Sequence, residues 1–383
     1  MNIKQSIKKI LACATASAMA LCLTMPTAFA DDTKNNAKEA YISKTYNTEV
    51  GKAETFSFIA TQVTGEGLVN DSRNLTMPSI SFTADETGTT KKRAQITFPT
   101  FSQEGKYEYT VTESSTLSDP VDESNAHEKM IMSQAEYKMD VYVFNNNGTY
   151  EITKIIVNKT KDDKGVTDAT TGKVDIGNTD ENGFNFTNTY VQEAGTGTDP
   201  KNPDPDYTNY GSLNISKTID ANGGTADTTK QFDFTATFNF PAGTDKNTLG
   251  GVKGNGEAIG IDESGNCSFK LQHNKKMKFT GLPVGTKMTV TESATPNYKG
   301  SAKVTINGVE ESKLVTASKY NEAIVVSNKR LDQKKNAVDV TNTYNNVPTT
   351  GIIMNTLPYV MMIALGGAAL VGYIYLKRRK YSN

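Results

Sequence analysis

Three four-residue words occur twice in this 383-residue chain, in the same order: Ile-Ser-Lys-Thr at 42–45 and 215–218, Val-Thr-Glu-Ser at 111–114 and 290–293, and Thr-Asn-Thr-Tyr at 187–190 and 341–344. Each copy supplies one lysine, one glutamate and one asparagine. Side chains two apart on a strand share a face. Lys217 is in phase with Leu213 and Ile215, Glu292 with Met288 and Val290, and Asn342 with Val338 and Val340. In the first copy Lys44 is in phase with Ile42, Glu113 with Tyr109 and Val111, and Asn188 with Phe184 and Phe186, while Ser43, Thr112 and Thr187 fall on the opposite, polar face. All six groups therefore point inward.

An amine, a carboxyl and an amide on apolar strand faces are costly to bury unless they satisfy one another. Desolvation pushes a buried lysine towards the neutral amine and a buried glutamate towards the neutral acid. A neutral Nζ beside an asparagine carbonyl that is hydrogen-bonded by a protonated glutamate is set up for transamidation. The products are an isopeptide cross-link and ammonia. Glu113 and Glu292 are the expected catalytic acids, with Lys44–Asn188 and Lys217–Asn342 as the cross-linked pairs. A plain buried ion pair would also satisfy the groups. The recurrence of order, phase and flanking words in both copies favours the cross-link.

The N-terminus carries Lys4, Lys8 and Lys9, an apolar stretch from Ile10 to Leu23, and Ala28-Phe29-Ala30 before Asp31. That is the pattern of a secretory signal peptide over residues 1–30. Leu21 before Cys22 is too bulky for lipoprotein processing. At the other end, Val347-Pro348-Thr349-Thr350-Gly351 precedes an apolar stretch at 352–376 and a basic tail at 377–383. Residues 357–376 are enough to span a bilayer, with the basic cluster on the cytoplasmic side. The pentapeptide resembles the Leu-Pro-x-Thr-Gly sorting signal of Gram-positive surface proteins, with Val347 in place of Leu. The resemblance implies that sortase, a membrane transpeptidase, cuts after Thr350 and passes its carbonyl to an amine, which makes the span transient.

Short alternating segments separated by turn residues predict an all-β chain of two tandem β-sandwich domains. Examples are Phe56-Ser57-Phe58, Phe232-Asp233-Phe234, and the run from Tyr137 to Val157 broken at Asn147-Gly148. The N-terminal sandwich is expected over 31–193 and the C-terminal one over 211–346. Between them, 194–210, with Gly195, Gly197, Pro200, Pro203 and Pro205, reads as a linker. Each lysine falls near the first strand of its domain and each asparagine on the last. The 41 basic side chains nearly balance the 42 acidic ones, which gives no reason to expect a nucleic-acid partner. Two histidines and the single mature cysteine, Cys267, leave no Cys/His metal cluster and no intrachain disulfide in prospect. No cofactor is expected.

Taken together, these residues resemble a two-domain shaft pilin of Gram-positive sortase-assembled pili, with isopeptide-bonded immunoglobulin-like domains. The likeness implies a secreted structural subunit, covalently attached to the cell wall. Its partners would be sortase, further copies of itself, accessory pilins, peptidoglycan and host surface ligands. It also implies that Thr350 is joined to a lysine near the end of the N-terminal domain of the next subunit. Lys173 leads Lys164 and Lys161 as that acceptor, because an acceptor should be exposed in an extended segment, which disfavours Lys154 within a strand. A monomeric wall-anchored adhesin or an accessory pilin at the tip or base is the alternative. An enzyme acting on external substrates is disfavoured, since His127 and His273 offer no triad and no phosphate-binding glycine motif is present.

Overall fold

A computed structural model of the chain describes residues 38–122, 124–167, 171–176 and 183–346, together with Met362 and Leu365. The expected signal peptide, sorting pentapeptide, membrane stretch and basic tail lie outside the described residues, apart from Met362 and Leu365. Among the described residues no helix is long and apolar enough to cross a membrane. Strands dominate the described residues, with a helical turn at Tyr207–Tyr210. The chain divides into two compact units, one drawn from Met1–Pro120 and Met130–Thr189, the other from Val121–Lys129 and Tyr190–Asn383. The class is the expected all-β one, with two sheets in each unit.

The N-terminal sandwich is built from β1 (Tyr41–Thr48), β2 (Glu54–Val63), β3 (Ser79–Phe82), β4 (Gly88–Gln95), β5 (Gly105–Glu113), β6 (Glu128–Ile131), β7 (Glu136–Asn146), β8 (Thr149–Lys161), β9 (Gly172–Val174) and β10 (Phe184–Gln192). One sheet has the order β4-β1-β10-β6, the other β3-β2-β5-β7-β8-β9. Tyr107, Tyr109 and Val111 of β5 and Tyr137, Met139 and Val141 of β7 alternate inward and are buried, as the period-2 pattern requires. Phe56, Phe58, Phe184 and Phe186 complete the core, with Tyr137 edge-on to both Phe184 and Phe186. The turn at Asn147-Gly148 has positive φ at both residues, the backbone a two-residue hairpin needs, and closes β7 onto β8.

The C-terminal sandwich comprises β11 (Leu213–Asp220), β12 (Phe232–Asn239), β13 (Lys253–Gly254), β14 (Glu257–Ala258), β15 (Asn266–Leu271), β16 (Lys275–Thr280), β17 (Lys287–Glu292), β18 (Tyr298–Ile306), β19 (Val309–Glu310), β20 (Val315–Thr316), β21 (Ile324–Arg330) and β22 (Ala337–Tyr344). One sheet runs β14-β13-β16-β11-β22-β18-β19, with β20 also on β18; the other runs β15-β12-β17-β21. The first long strand, β11, lies parallel to the last, β22, with Lys217 opposite Val340 and Ile219 opposite Asn342. In the N-terminal unit β1 likewise lies beside β10.

Two sequence expectations need correction. Residues 194–210 are not a free linker but pack within the second unit. Ala194 and Thr196 are fully buried, and the N–H groups of Ala194, Gly195 and Gly197 donate to the carbonyls of Leu282, Asp332 and Gln333. The glycines that suggested flexibility serve close approach instead: at Gly195, with φ of +82°, a Cβ would sit 2.2 Å from the Gly211 carbonyl oxygen. The unit boundary therefore falls after Thr189, and Val121–Lys129 joins the second unit through His127 Nδ1 to Glu193 Oε2 at 2.7 Å and Tyr190 Oη to Glu128 Oε2 at 2.7 Å. The second correction concerns the outer face of β1. Ser43, Thr45 and Asn47 are buried as well as their inward neighbours. They lie between β4 and β10, where Thr45 donates to Asn185 and Asn47 to Thr189. Hydrogen bonds to neighbouring strands replace the water that the polar pattern implied.

Candidate functional site: two buried lysine–glutamate–asparagine trios

Each sandwich brings its three repeated polar residues together in the apolar interior. In the first unit Lys44 Nζ lies 2.6 Å from Glu113 Oε1, an ion-pair contact without good hydrogen-bond direction. Asn188 Nδ2 donates to the same Oε1 at 3.0 Å. In the second, Lys217 Nζ donates to Glu292 Oε2 at 2.9 Å, and Asn342 Nδ2 donates to Glu292 Oε1. Lys44, Lys217 and Asn188 have no exposed surface, and Asn342 has only 2%.

Register explains the meeting. Glu113 of β5 stands opposite Phe58 of β2, and Glu292 of β17 stands opposite Phe234 of β12, so both carboxyls enter at the same place in their sheets. Lysine and asparagine approach from the facing sheet on adjacent strands. Phe56 and Phe232, two residues before those opposing phenylalanines, lie under the amines, each Nζ being 4.2 Å from a ring centroid. A ring face at that distance attracts an ammonium and packs equally well on an uncharged group. The phenylalanines were visible in the sequence only as strand markers, Phe56-Ser57-Phe58 and Phe232-Asp233-Phe234. Their recurrence beside the other repeated words was the signal that could have joined them to the trios.

Burial dominates the electrostatics. It lowers the Lys44 and Lys217 amines to about 8, against the pull of Glu113 and Glu292, which favour the charged form. The carboxyls of Glu113 and Glu292 are raised by the same desolvation, opposed by the ammonium and the asparagine. Both shifts move each pair towards a neutral amine and a neutral acid, the combination transamidation requires.

One detail departs from the sequence expectation. The carboxylates do not face the asparagine carbonyls; each accepts a hydrogen bond from Nδ2, the nitrogen that would leave as ammonia. The acid is therefore placed to protonate the leaving group. In the first unit the carbonyl finds another donor, Ser133 N–H, 2.7 Å from Asn188 Oδ1. That residue belongs to no repeated word, and sequence reasoning missed it.

Among the remaining sequence candidates, Val347, Pro348, Thr349, Thr350 and Gly351 lie outside the described residues. Lys173 is exposed on β9, the edge strand of the six-stranded sheet. Lys164 is exposed at the turn where Gly165 N–H donates to Asp162 O. Lys161 ends β8 and pairs with Glu136 at 2.9 Å. None of the three approaches the buried trios through a described contact.

Comparison with known proteins gives the following. Residues 211–344 match a domain family described only as a domain of unknown function, DUF7601. A search of curated proteins found no match. Among solved structures, the chain is similar to a major pilin protein of Streptococcus pyogenes, with 19% identity over 81% of this chain and 99% of that one, at a TM-score of 0.31. A second Streptococcus pyogenes major pilin shows 20% identity over 80% and 98%, at 0.29. An adhesin from Mobiluncus mulieris, containing intramolecular disulfide, isopeptide and ester cross-links, shows 13% identity over 79% and 87%, at 0.25.

Proposed function

We propose that the chain is the repeated shaft subunit of a covalently polymerised cell-surface pilus, stapled internally by two isopeptide bonds that it forms on itself. The carrying observation is that the same buried contact set ties the first strand to the last in both sandwiches. In each site a proton passes from the lysine ammonium to the glutamate. The neutral Nζ attacks Cγ of asparagine, forming the new C–N bond. Glutamate then relays the proton lost by Nζ to Nδ2, the Cγ–Nδ2 bond breaks, and ammonia departs, taking as ammonium the proton that glutamate first removed from the lysine. The glutamate ends as it began, so no external enzyme or cofactor is consumed. Holding the reactants in a dry interior supplies the effective concentration and strengthens the polarising contacts.

The mature ectodomain, residues 31–346, is expected to weigh two ammonia molecules less than its sequence, and E113A or E292A to restore one each. Intact-mass spectrometry reads this directly, and an unmodified sequence mass would remove the self-stapling reading.

The chain ends support the assembly half of the proposal. A signal peptide exports the protein, and the 347–351 pentapeptide with its apolar stretch and basic tail presents Thr350 to sortase at the membrane. Lys173 of the next subunit is the acceptor, because an exposed edge strand can receive an extended peptide by strand addition. In cells with a pilus sortase, wall extracts should give a polymer ladder on denaturing gels, and K173R should collapse it to monomer. A ladder that survives K173R but is lost in K164R or K161R would move the acceptor; a monomer band from the unaltered chain would count against the shaft role.

A further inference from the structure

The two trios are not equivalent. In the first unit Ser133 N–H donates to Asn188 Oδ1 at 2.7 Å in a buried setting. A backbone N–H can be accepted only by the amide oxygen, and Nδ2 faces two acceptors, Glu113 Oε1 at 3.0 Å and Met132 Sδ at 3.3 Å. The orientation of the amide is thereby fixed. Ser133 is itself held: its Oγ donates to Asp163 Oδ1 at 2.5 Å and accepts from Ala135 N–H at 3.2 Å, and Gln134 N–H donates to the Asp163 carbonyl at 3.0 Å. Asp163 Oδ1 also accepts from Thr187 N–H at 2.9 Å, one residue before Asn188. The β6–β7 connection that carries the donor and the strand that carries Asn188 are thus tied to a single carboxylate. In the second unit Asn342 Oδ1 is buried without a hydrogen-bond partner among the described residues. Opposite it on β18 is Gly300, where an added Cβ would lie 3.2 Å from Oδ1.

When Nζ attacks Cγ, the carbonyl electron pair moves onto Oδ1, and a fixed donor about 2.7–3.1 Å from that oxygen stabilises the developing charge. We infer that Ser133 N–H is an oxyanion donor for the Lys44–Asn188 bond, with Asp163 as its positioning residue, and that the Lys217–Asn342 bond forms more slowly because it has no counterpart. This inference rests on the self-stapling reading above. The bond changes remain those already described, with the new C–N bond formed, Cγ–Nδ2 broken and ammonia released; Ser133 supplies only a hydrogen bond.

The test follows both bonds in the full chain. Producing cells are pulsed with isotopically heavy amino acids, and cross-linked and free peptides bearing Lys44 or Lys217 are quantified by mass spectrometry through the chase. The Lys44–Asn188 peptide should mature about tenfold or more ahead of Lys217–Asn342. S133A and D163A should slow the first bond by about tenfold or more and leave the second unchanged, the second bond serving as an internal control for export and folding. S133T and D163N, which keep the hydroxyl-to-oxygen tie, should retain the rate. Equal rates for the two bonds in the unaltered chain, or S133A and D163A chains that close the first bond at the normal rate, would overturn the oxyanion assignment while leaving self-stapling intact. Absence of both cross-linked peptides would instead defeat the self-stapling reading itself.

Discussion

Stretched by its ends in a single-molecule force experiment, the mature ectodomain is expected to show no unfolding step longer than about 100 Å. With both proposed bonds closed, load entering near Ala40 would reach Lys44, cross the isopeptide to Asn188, follow the backbone to Lys217 and cross again to Asn342. Only the stretch between Asn188 and Lys217 lies in the tensioned path, and it can yield at most a short extension. The loops from Lys44 to Asn188 and from Lys217 to Asn342 are out of the load. At about 3.4 Å per extended residue they hold roughly 480 Å and 420 Å of contour. N188A should release a step of about the first length and N342A one of about the second. Steps of those lengths in the unaltered protein would show that the first and last strands are not bonded.

Thermal unfolding of N342A should fall well below that of the unaltered ectodomain. By analogy with a disulfide closing a loop of about a hundred residues, losing the staple costs about 4–5 kcal/mol, in a model where the staple restricts the unfolded chain. For a unit of this size that corresponds to roughly 10–20 °C in Tm. The same variant should acquire a pH dependence. Burial holds the folded Lys217 amine at about 8, below its ordinary value of 10.5. Between those values the unfolded chain binds more protons than the folded one, so stability must rise as pH increases from about 8 to 10.5. In the cross-linked protein the nitrogen is an amide and does not titrate, so this rise should be absent. Calorimetry of the two proteins across that window separates the cases. An identical Tm for both would mean that the bond either does not form or does not stabilise.

Much of this architecture was legible in the sequence because its two strongest signals have period 2. Lys44, Glu113 and Asn188 could be assigned to the interior from Ile42, Val111 and Phe186 alone, and the second copy repeated the assignment. What was not legible depended on contacts between segments far apart in the chain. Residues 194–197 have a linker's composition, yet the approach of Ala194, Gly195 and Gly197 to the Leu282, Asp332 and Gln333 carbonyls is a tertiary event that no local pattern encodes. Ser133 is similarly invisible, since its contribution to Asn188 comes from a backbone N–H, a group every residue but proline has. The burial of Ser43 and Asn47 was missed because alternation reports which face is apolar, not whether hydrogen-bonding neighbours cover the other. Nor can period or composition tell an acceptor lysine from any other; the structure adds for Lys173 only that β9 is an edge strand of its sheet.

The phenyl rings beneath Nζ have a bearing on timing. Phe56 and Phe232 lie under the unreacted amines, and the flat amide of the proposed bond would rest on the same ring faces. Closure of the proposed bonds would then demand no loosening of the sandwich, and maturation would proceed in an already folded subunit. On that reading its pace is set by the chemical step rather than by the search for the native state.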